Sequence, residues 1–296
     1  MTQTPLDFSA QPGDGQPEGQ AGFQEEIRAE ARLKLVVAYD GTEFRGFAPQ
    51  PNVRTVTGVL VDALAKALRT DAESLDVVGA GRTDAGVHAW GQVVSVSVAT
   101  GTDPGHVAQV VNRLTGPELV VRAGTLVDST FHARHSAQWR TYRYTVINRP
   151  VPDPFLARYT WWVPEHLELA QLRLAADPFV GAHDFSAFCR KPRGTQPSGV
   201  EASETAPGPP VSTALTRRVL FSRWLEPREG VLVYEVRARS FCWQMVRSMV
   251  GTIVEAGTGR RRPGDVLAIL RSGDRSRTVP PAPPQGLCLW EVGYPA

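Results

Sequence analysis

The sequence predicts an α+β fold in which helices cover one face of a β-sheet, and three observations predict it. Stretches that alternate apolar and polar residues are interleaved with stretches whose apolar residues recur every three or four positions, the two signatures of strand and helix. The first half runs strand, helix, strand, loop, strand, helix, strand, and the second half repeats that style without a close internal sequence repeat. A hydrophobic content of 42% over 296 residues is enough for one large core or two ordinary ones. Elements in that order pack as layers, each helix burying its apolar stripe against the sheet.

Residues 1–30 are rich in Gln, Gly, Pro and Glu and read as a disordered acidic tail. Order begins near Arg32, where Leu33 to Tyr39 reads as a strand ending at the Asp40-Gly41 turn. Val56, Val59, Leu60, Ala63, Leu64, Ala67 and Leu68 make one apolar helical face, with Thr55 or Thr57 as its N-cap. Leu75 to Val78 and Gly91 to Val98 are strands on either side of a glycine-rich loop. Asp103-Pro104 opens a second helix with a cap and a proline in its first turn, and Leu119 to Leu126 is a further strand.

In the second half Trp139 to Ile147 alternates as a strand and Pro164 to Ala176 is helical. Thr216 to Trp224 and Val231 to Arg237 are strands, and Phe241 to Ala256 is a long apolar helix. Between them, Pro192 to Pro210 is a run of Gly, Pro, Ser and Thr that reads as a mobile loop. The expected organisation is the tail over 1–30, an N-terminal α+β domain over 31–130 and a C-terminal one over 131–296.

Composition narrows the class. No stretch approaches the roughly 20 uninterrupted apolar residues of a membrane span. The start has no apolar core and is not Arg-rich, so neither a secretory signal nor an organellar transit peptide is expected. Cys189, Cys242 and Cys288 are far apart and odd in number, so no disulfide framework or metal site is expected and a reducing cytoplasm fits best. The net charge of +2 conceals an acidic tail followed by a moderately basic body. Its positive charge is almost all arginine, the residue suited to bidentate phosphate contact and base stacking. Charge of this kind permits a nucleic-acid partner without proving one.

The most informative stretch is Gly79 to Val96, GAGRTDAGVHAWGQVVSV. It places Arg82 and Asp84 among glycines 79, 81 and 86, directly before an alternating strand. Glycines let a backbone turn tightly and approach a ligand closely, and a loop at the mouth of a strand is where scaffolds hold reactive side chains. The plainer alternative is an ordinary turn in which Asp84 bonds nearby amides and Arg82 is solvated. A second segment, Phe131 to Ala137 followed by Arg140-Thr-Tyr142-Arg143-Tyr144, interleaves basic groups with aromatics, the texture that meets unstacked RNA bases and phosphates. A third, Phe241 to Gly251, carries a single arginine, Arg247, in apolar surroundings, where a buried guanidinium needs a partner. The histidines at 88, 132 and 183 match no ligand spacing, so no metal is expected. No nucleotide-binding loop occurs, so neither ATP nor a dinucleotide is implied.

These segments carry a family resemblance. The stretch GAGRTDAGVH, Gly79 to His88, resembles the catalytic loop of the TruA family of tRNA pseudouridine synthases. Tyr39-Asp-Gly-Thr-Glu-Phe-Arg-Gly-Phe47 resembles the family's opening signature, although Ala48-Pro-Gln-Pro51 departs from its glutamine-rich continuation. The FHAR.SA…R.Y.Y block over 131–144, Gly181-Ala-His-Asp-Phe185, Phe241 to Gly251 and Ala282 to Leu287 are also similar, while Val279 and Pro280 depart before the last of these. The resemblance covers most of residues 33–290.

The resemblance implies a pseudouridine synthase fold of two ferredoxin-like halves sharing a mostly antiparallel sheet with a central cleft. It implies isomerisation of uridine to pseudouridine at tRNA positions 38, 39 and 40 in the anticodon stem-loop, by a cytoplasmic homodimer. The chemistry is redox-neutral and calls for no cofactor. Asp84 matches the family's nucleophile, Arg247 its expected partner and Tyr142 the active-site tyrosine. Arg82 is assigned to the space that the flipped uridine vacates. A carboxylate nucleophile has to carry its charge in a closed pocket, and a neighbouring guanidinium favours the charged form. Phe131, His132, Ala133, Arg134, His135, Arg140, Arg190, Lys191 and Arg193 are the expected RNA contacts. Two rivals remain on the sequence: a non-catalytic RNA-binding module, which has no use for Asp84 with two arginines, and a small-molecule hydrolase, which needs a second carboxylate that the loop does not offer.

Overall fold

The structure, a computed structural model, describes residues 30–190 and 215–295. The predicted tail and the predicted loop over 192–210, with Lys191 and Arg193, lie outside the described residues. The first half contains β1 (Glu30–Tyr39), α1 (Val56–Leu68), β2 (Val78–Gly79), β3 (His88–Ala99), α2 (Pro104–Thr115) and β4 (Leu119–Val127). The second contains β5 (Trp139–Ile147), β6 (Trp161–Trp162), α3 (Leu169–Ala176), β7 (Gly181–Asp184), β8 (Thr216–Arg228), β9 (Val231–Ala238), α4 (Met245–Gly257), α5 (Pro263–Ser272) and β10 (Leu287–Gly293).

These strands form one sheet in the order β4-β1-β3-β10-β5-β9-β8-β7, with β2 on β3 and β6 on β5. Every described pairing is antiparallel except β10 with β3 and β6 with β5. The two halves are the same unit. Strand-helix-strand-strand-helix-strand gives the spatial order β4-β1-β3-β2 in the first and β10-β5-β9-β8 in the second, which is the ferredoxin-like arrangement. The last strand of the second unit therefore lies against the first and makes the sheet continuous.

The joint positions the site. One edge of β3 is shared by two strands: β2 pairs with it at Val94 and Ser95, and β10 at His88 and Ala89. The loop from Ala80 to Val87 connects β2 to β3 and so emerges at the seam where the two halves meet.

Local sequence explains the elements. Thr55 caps α1 by accepting a hydrogen bond from the Gly58 amide, and Leu60, Ala63 and Leu64 turn inward. Asp103 caps α2 by accepting from the Gly105 amide, with Pro104 at the first helical position. Leu33, Leu35, Val37 and Tyr39 alternate on β1 and join Leu60, Val111, Tyr144, Tyr234 and Met249 in one apolar core that runs through both halves. Burial of that apolar face is the main force holding the helices to the sheet.

Several expectations change. The helix predicted from Pro164 starts at Leu169. The Asn148 side chain donates to the carbonyls of Val163 and Glu165 and accepts from the Leu167 amide, which holds the preceding segment as a loop. The helix predicted from Phe241 starts at Met245, because Gln244 takes a left-handed conformation (φ 63°) that no helix accommodates. Leu75 to Val77 is not strand; only Val78 and Gly79 pair with β3. The cysteines also require correction: Cys189 and Cys242, 53 residues apart, form a disulfide with Cα atoms 5.7 Å apart. Tertiary packing brings them together, and their sequence spacing carries no sign of it.

Candidate active site

The loop from Ala80 to Val87 is clamped from three sides. Gln92, fully buried on β3, donates to the Gly81 carbonyl at 2.8 Å and accepts from the Gly81 amide at 3.3 Å. From the first signature segment, the Phe47 amide donates to the Thr83 carbonyl at 3.0 Å and the Gly86 amide to the Phe44 carbonyl at 3.3 Å. The Phe47 ring lies so close to Gly79 that a Cβ there would sit 2.3 Å from it. Tyr39 and Thr83 share a buried hydroxyl contact at 2.8 Å.

The third clamp is Arg140, 9% exposed. All five of its N–H donors are directed at backbone carbonyls: Ala80 twice, Arg134, Ala137 and Arg239. This corrects the expectation that Arg140 contacts RNA, since no donor is left for a phosphate. The guanidinium instead ties the start of the loop to the 131–137 segment and to the end of β9. Ala133 is corrected too: its side chain is fully buried, its amide donates to Ser95 Oγ and its carbonyl accepts from the Tyr294 hydroxyl.

Within this frame Asp84 is held at both oxygens. Arg247, in the first turns of α4, donates from Nη1 to Asp84 Oδ2 at 3.2 Å. Its Nε donates to the Ala282 carbonyl at 2.7 Å, and the Ala282 amide returns a bond to the Arg247 carbonyl at 3.0 Å. The Trp243 indole N–H donates to Asp84 Oδ1 at 2.9 Å. The Asp84 side chain is 24% exposed, so the carboxylate can be reached from solvent.

Tyr142 lies beside the loop, its ring edge-on to Phe241 at 5.0 Å. A Cβ at Gly81 would be 3.7 Å from its hydroxyl. Burial, and then the negative charge of Asp84, push the phenol well above its ordinary value, so it stays protonated. Among the described residues that hydroxyl has no hydrogen-bond partner. Tyr144, two residues on, is fully buried and donates to the Pro283 carbonyl at 2.8 Å.

The structure thus brings Asp84, Arg247 and Tyr142 together from three distant segments. Arg82 is exposed on the same loop and makes no hydrogen bond or ion pair with a described residue. Arg190 lies over the Trp243 ring, 4.5 Å from its centroid. Arg134 and His135 are exposed and His132 is partly so, while Phe131 packs on Tyr294 at 5.0 Å. Sequence reasoning missed Trp243, Gln92 and the packing role of Arg140. Trp243 was hidden because its apolar neighbours extended the predicted helix over it. A glutamine in an otherwise apolar strand was the available signal for Gln92. No group of three or more His, Cys, Asp or Glu side chains among the described residues could hold a metal ion, and none of the described helices is long and apolar enough to cross a membrane.

Comparison with known proteins bears directly on this arrangement. The family model described as tRNA pseudouridine synthase matches residues 35–134 and 175–295. Those ranges include the loop with Asp84 and the helix with Arg247. The tRNA pseudouridine synthase A of Pseudothermotoga lettingae is 36% identical over 263 residues, covering 89% of this chain and 99% of that protein. That of Leifsonia xyli is 37% identical over 286 residues, covering 89% and 92%. That of Syntrophotalea carbinolica is 38% identical over 262 residues, covering 88% and 96%. Similarity of this extent, across both ferredoxin-like halves and the seam between them, shows that the chain belongs to the TruA family of tRNA pseudouridine synthases.

Proposed function

We propose that this enzyme converts uridine to pseudouridine at positions 38, 39 and 40 of the tRNA anticodon stem-loop, with Asp84 as the nucleophile. The observation that carries the reading is the Asp84 carboxylate, set at the seam of the two halves, charge-paired with Arg247 and open to solvent. In the reaction the N1–C1′ bond of uridine breaks, uracil turns within the site, and a C5–C1′ bond forms. The C5 proton leaves and N1 gains one, so atoms and electrons balance without a co-reactant. A carboxylate suits this exchange because it attacks C1′ or C6 as an anion and then departs. Arg247 holds that charge in place through a donor itself fixed to the Ala282 carbonyl.

Tyr142 binds the uracil ring. Its raised phenol favours stacking over proton acceptance, since it remains neutral at ordinary pH. A uridine in a stem-loop has to leave its stack to reach Asp84, and the exposed Arg82 guanidinium, without an ion pair among the described residues, is suited to the space it leaves. Arg134 and Arg190, together with Lys191 and Arg193, supply positive charge to the RNA backbone, and His132 and His135 supply ring nitrogens for hydrogen bonds. The enzyme acts as a cytoplasmic homodimer with tRNA as its partner, and requires no nucleotide cofactor.

The test uses unmodified tRNA transcripts in which every uridine is 5-tritiated and only one of the three positions is a uridine, beside a transcript with none at these positions. Tritium release from each supports the reading. Release from uridines elsewhere in the tRNA, with none from these, contradicts the assigned positions.

A further inference from the structure

Asp84 has a second contact, from Trp243, on the oxygen that Arg247 does not reach. We propose that Trp243 is a positioning residue for Asp84, fixing the plane of the carboxylate that Arg247 pairs with; this rests on the reading of Asp84 as nucleophile. Arg247 reaches Oδ2 alone, and a carboxylate held through one oxygen can still rotate about that contact. The Trp243 indole N–H reaches the other oxygen, Oδ1, at 2.9 Å, from a different segment of the chain. An indole N–H is a donor with no charge and no acceptor capacity. It therefore gives direction without neutralising the anion or competing for its proton.

Trp243 is itself held with unusual care for a residue that is 43% exposed. Its ring is covered on one side by the Arg190 guanidinium, 4.5 Å from the centroid. Its carbonyl accepts from the Arg190 amide at 2.9 Å. Its neighbour Cys242 is disulfide-bonded to Cys189, the residue before Arg190. On the other side Gln244 has the left-handed φ of 63°, and its side chain accepts from Arg275 Nη2 at 3.2 Å. A strained, multiply tied turn next to a reactive carboxylate is where a fold stores preorganisation. None of these ties is needed to bury the ring, because the ring is not buried.

Two measurements decide the matter. The chain has seven tryptophans, so the Trp243 indole signal in a 15N-labelled sample is identified by its loss in Trp243→Phe. In Asp84→Ala that signal should shift and exchange faster with solvent; an unchanged signal overturns the contact, whatever the protein's activity. In single-turnover assays with unmodified tRNA, Trp243→Phe, which keeps the ring under Arg190 but deletes the N–H, should slow isomerisation by about 10- to 100-fold. Its tRNA Kd should stay within about threefold of wild type, and Trp243→His, which restores an N–H, should recover most of the rate. A Trp243→Phe rate equal to wild type overturns the proposal, and a loss confined to Kd overturns it and makes Trp243 an RNA-stacking surface. A wild-type protein without isomerase activity would overturn the synthase reading separately, while the indole signal still reports the contact.

Discussion

Arg247 and Asp84 are 163 residues apart in sequence, yet Arg247 Nη1 lies 3.2 Å from Asp84 Oδ2 across the seam between two ferredoxin-like units. Each unit contributes half of the pair. The two halves are held in register by β10, which pairs with β3 of the first unit and β5 of the second. Arg247→Met should therefore reduce single-turnover isomerisation by about 100-fold or more while tRNA affinity changes little. Arg247→Lys should recover only part of the rate, since a lysine has no second donor for the Ala282 carbonyl in the same geometry. Filter binding beside a tritium-release assay separates the two effects, and a variant that loses affinity but not rate would contradict the pairing.

Arg140 is expected to act on stability. Replacing it with Ala removes five charge-assisted donors and strands carbonyls of Ala80, Arg134, Ala137 and Arg239. The loss should be about 3 kcal/mol or more in urea unfolding. Arg140→Lys should restore little of it, because a lysine cannot reproduce the planar fork. A change below about 1 kcal/mol would show that these bonds are not what ties the loop down.

Gln92 links the strand to the loop by two bonds to Gly81. Gln92→Met keeps the volume and deletes both, leaving the Gly81 amide and carbonyl unpartnered. We expect a loss of about 1–3 kcal/mol in stability and a larger proportional loss in isomerisation rate, since Asp84 sits three residues further along the same loop. Equal activity per folded molecule in the variant and wild type would contradict a positioning role for Gln92.

How much of this was legible in the sequence depends on whether the cause was local. The caps at Thr55 and Asp103 and the alternation of β5 act over a few residues, and all three were readable. β10 was not, because it is a strand only by virtue of the edges of β3 and β5, and a proline-rich segment precedes it. α5 opens on Pro263, a usable start signal, but with Val266, Ile269 and Leu270 it has a short apolar stripe that was passed over. The Asp84 loop stood out as a candidate site because its residues are contiguous. Trp243 was not, because its meaning depends on Gln244 breaking the helix and on a carboxylate 159 residues away.

His88 predicts the pH response. Its Nε2 lies 3.0 Å from the Arg158 carbonyl, which can only accept, so that nitrogen carries the proton; Nδ1 then accepts from the Gly41 amide at 2.9 Å. Burial lowers the His88 pKa from the ordinary 6.5, outweighing the opposing charge of Asp40. The unfolded chain therefore takes up this proton before the folded protein does, and stability falls as pH drops below 6.5. Asp40 works in the same direction at lower pH. Burial alone would raise its carboxyl, but hydrogen bonds from Thr42 and Tyr159 bring it below the usual value. The urea midpoint should decline from pH 7 to pH 5, less steeply in His88→Asn; a midpoint that rises on acidification would contradict the neutral imidazole.

The most direct measurement is tritium release from 5-tritiated uridine in the anticodon stem-loop, with enzyme in excess of tRNA, for wild type and Asp84→Asn. Asparagine keeps the size of the side chain and its hydrogen-bond acceptor but removes the nucleophilic anion. Wild type should release tritium, and Asp84→Asn, folded and still binding tRNA, should be slower by about 1000-fold or more if Asp84 is the nucleophile. Release by Asp84→Asn within about tenfold of wild type would contradict it.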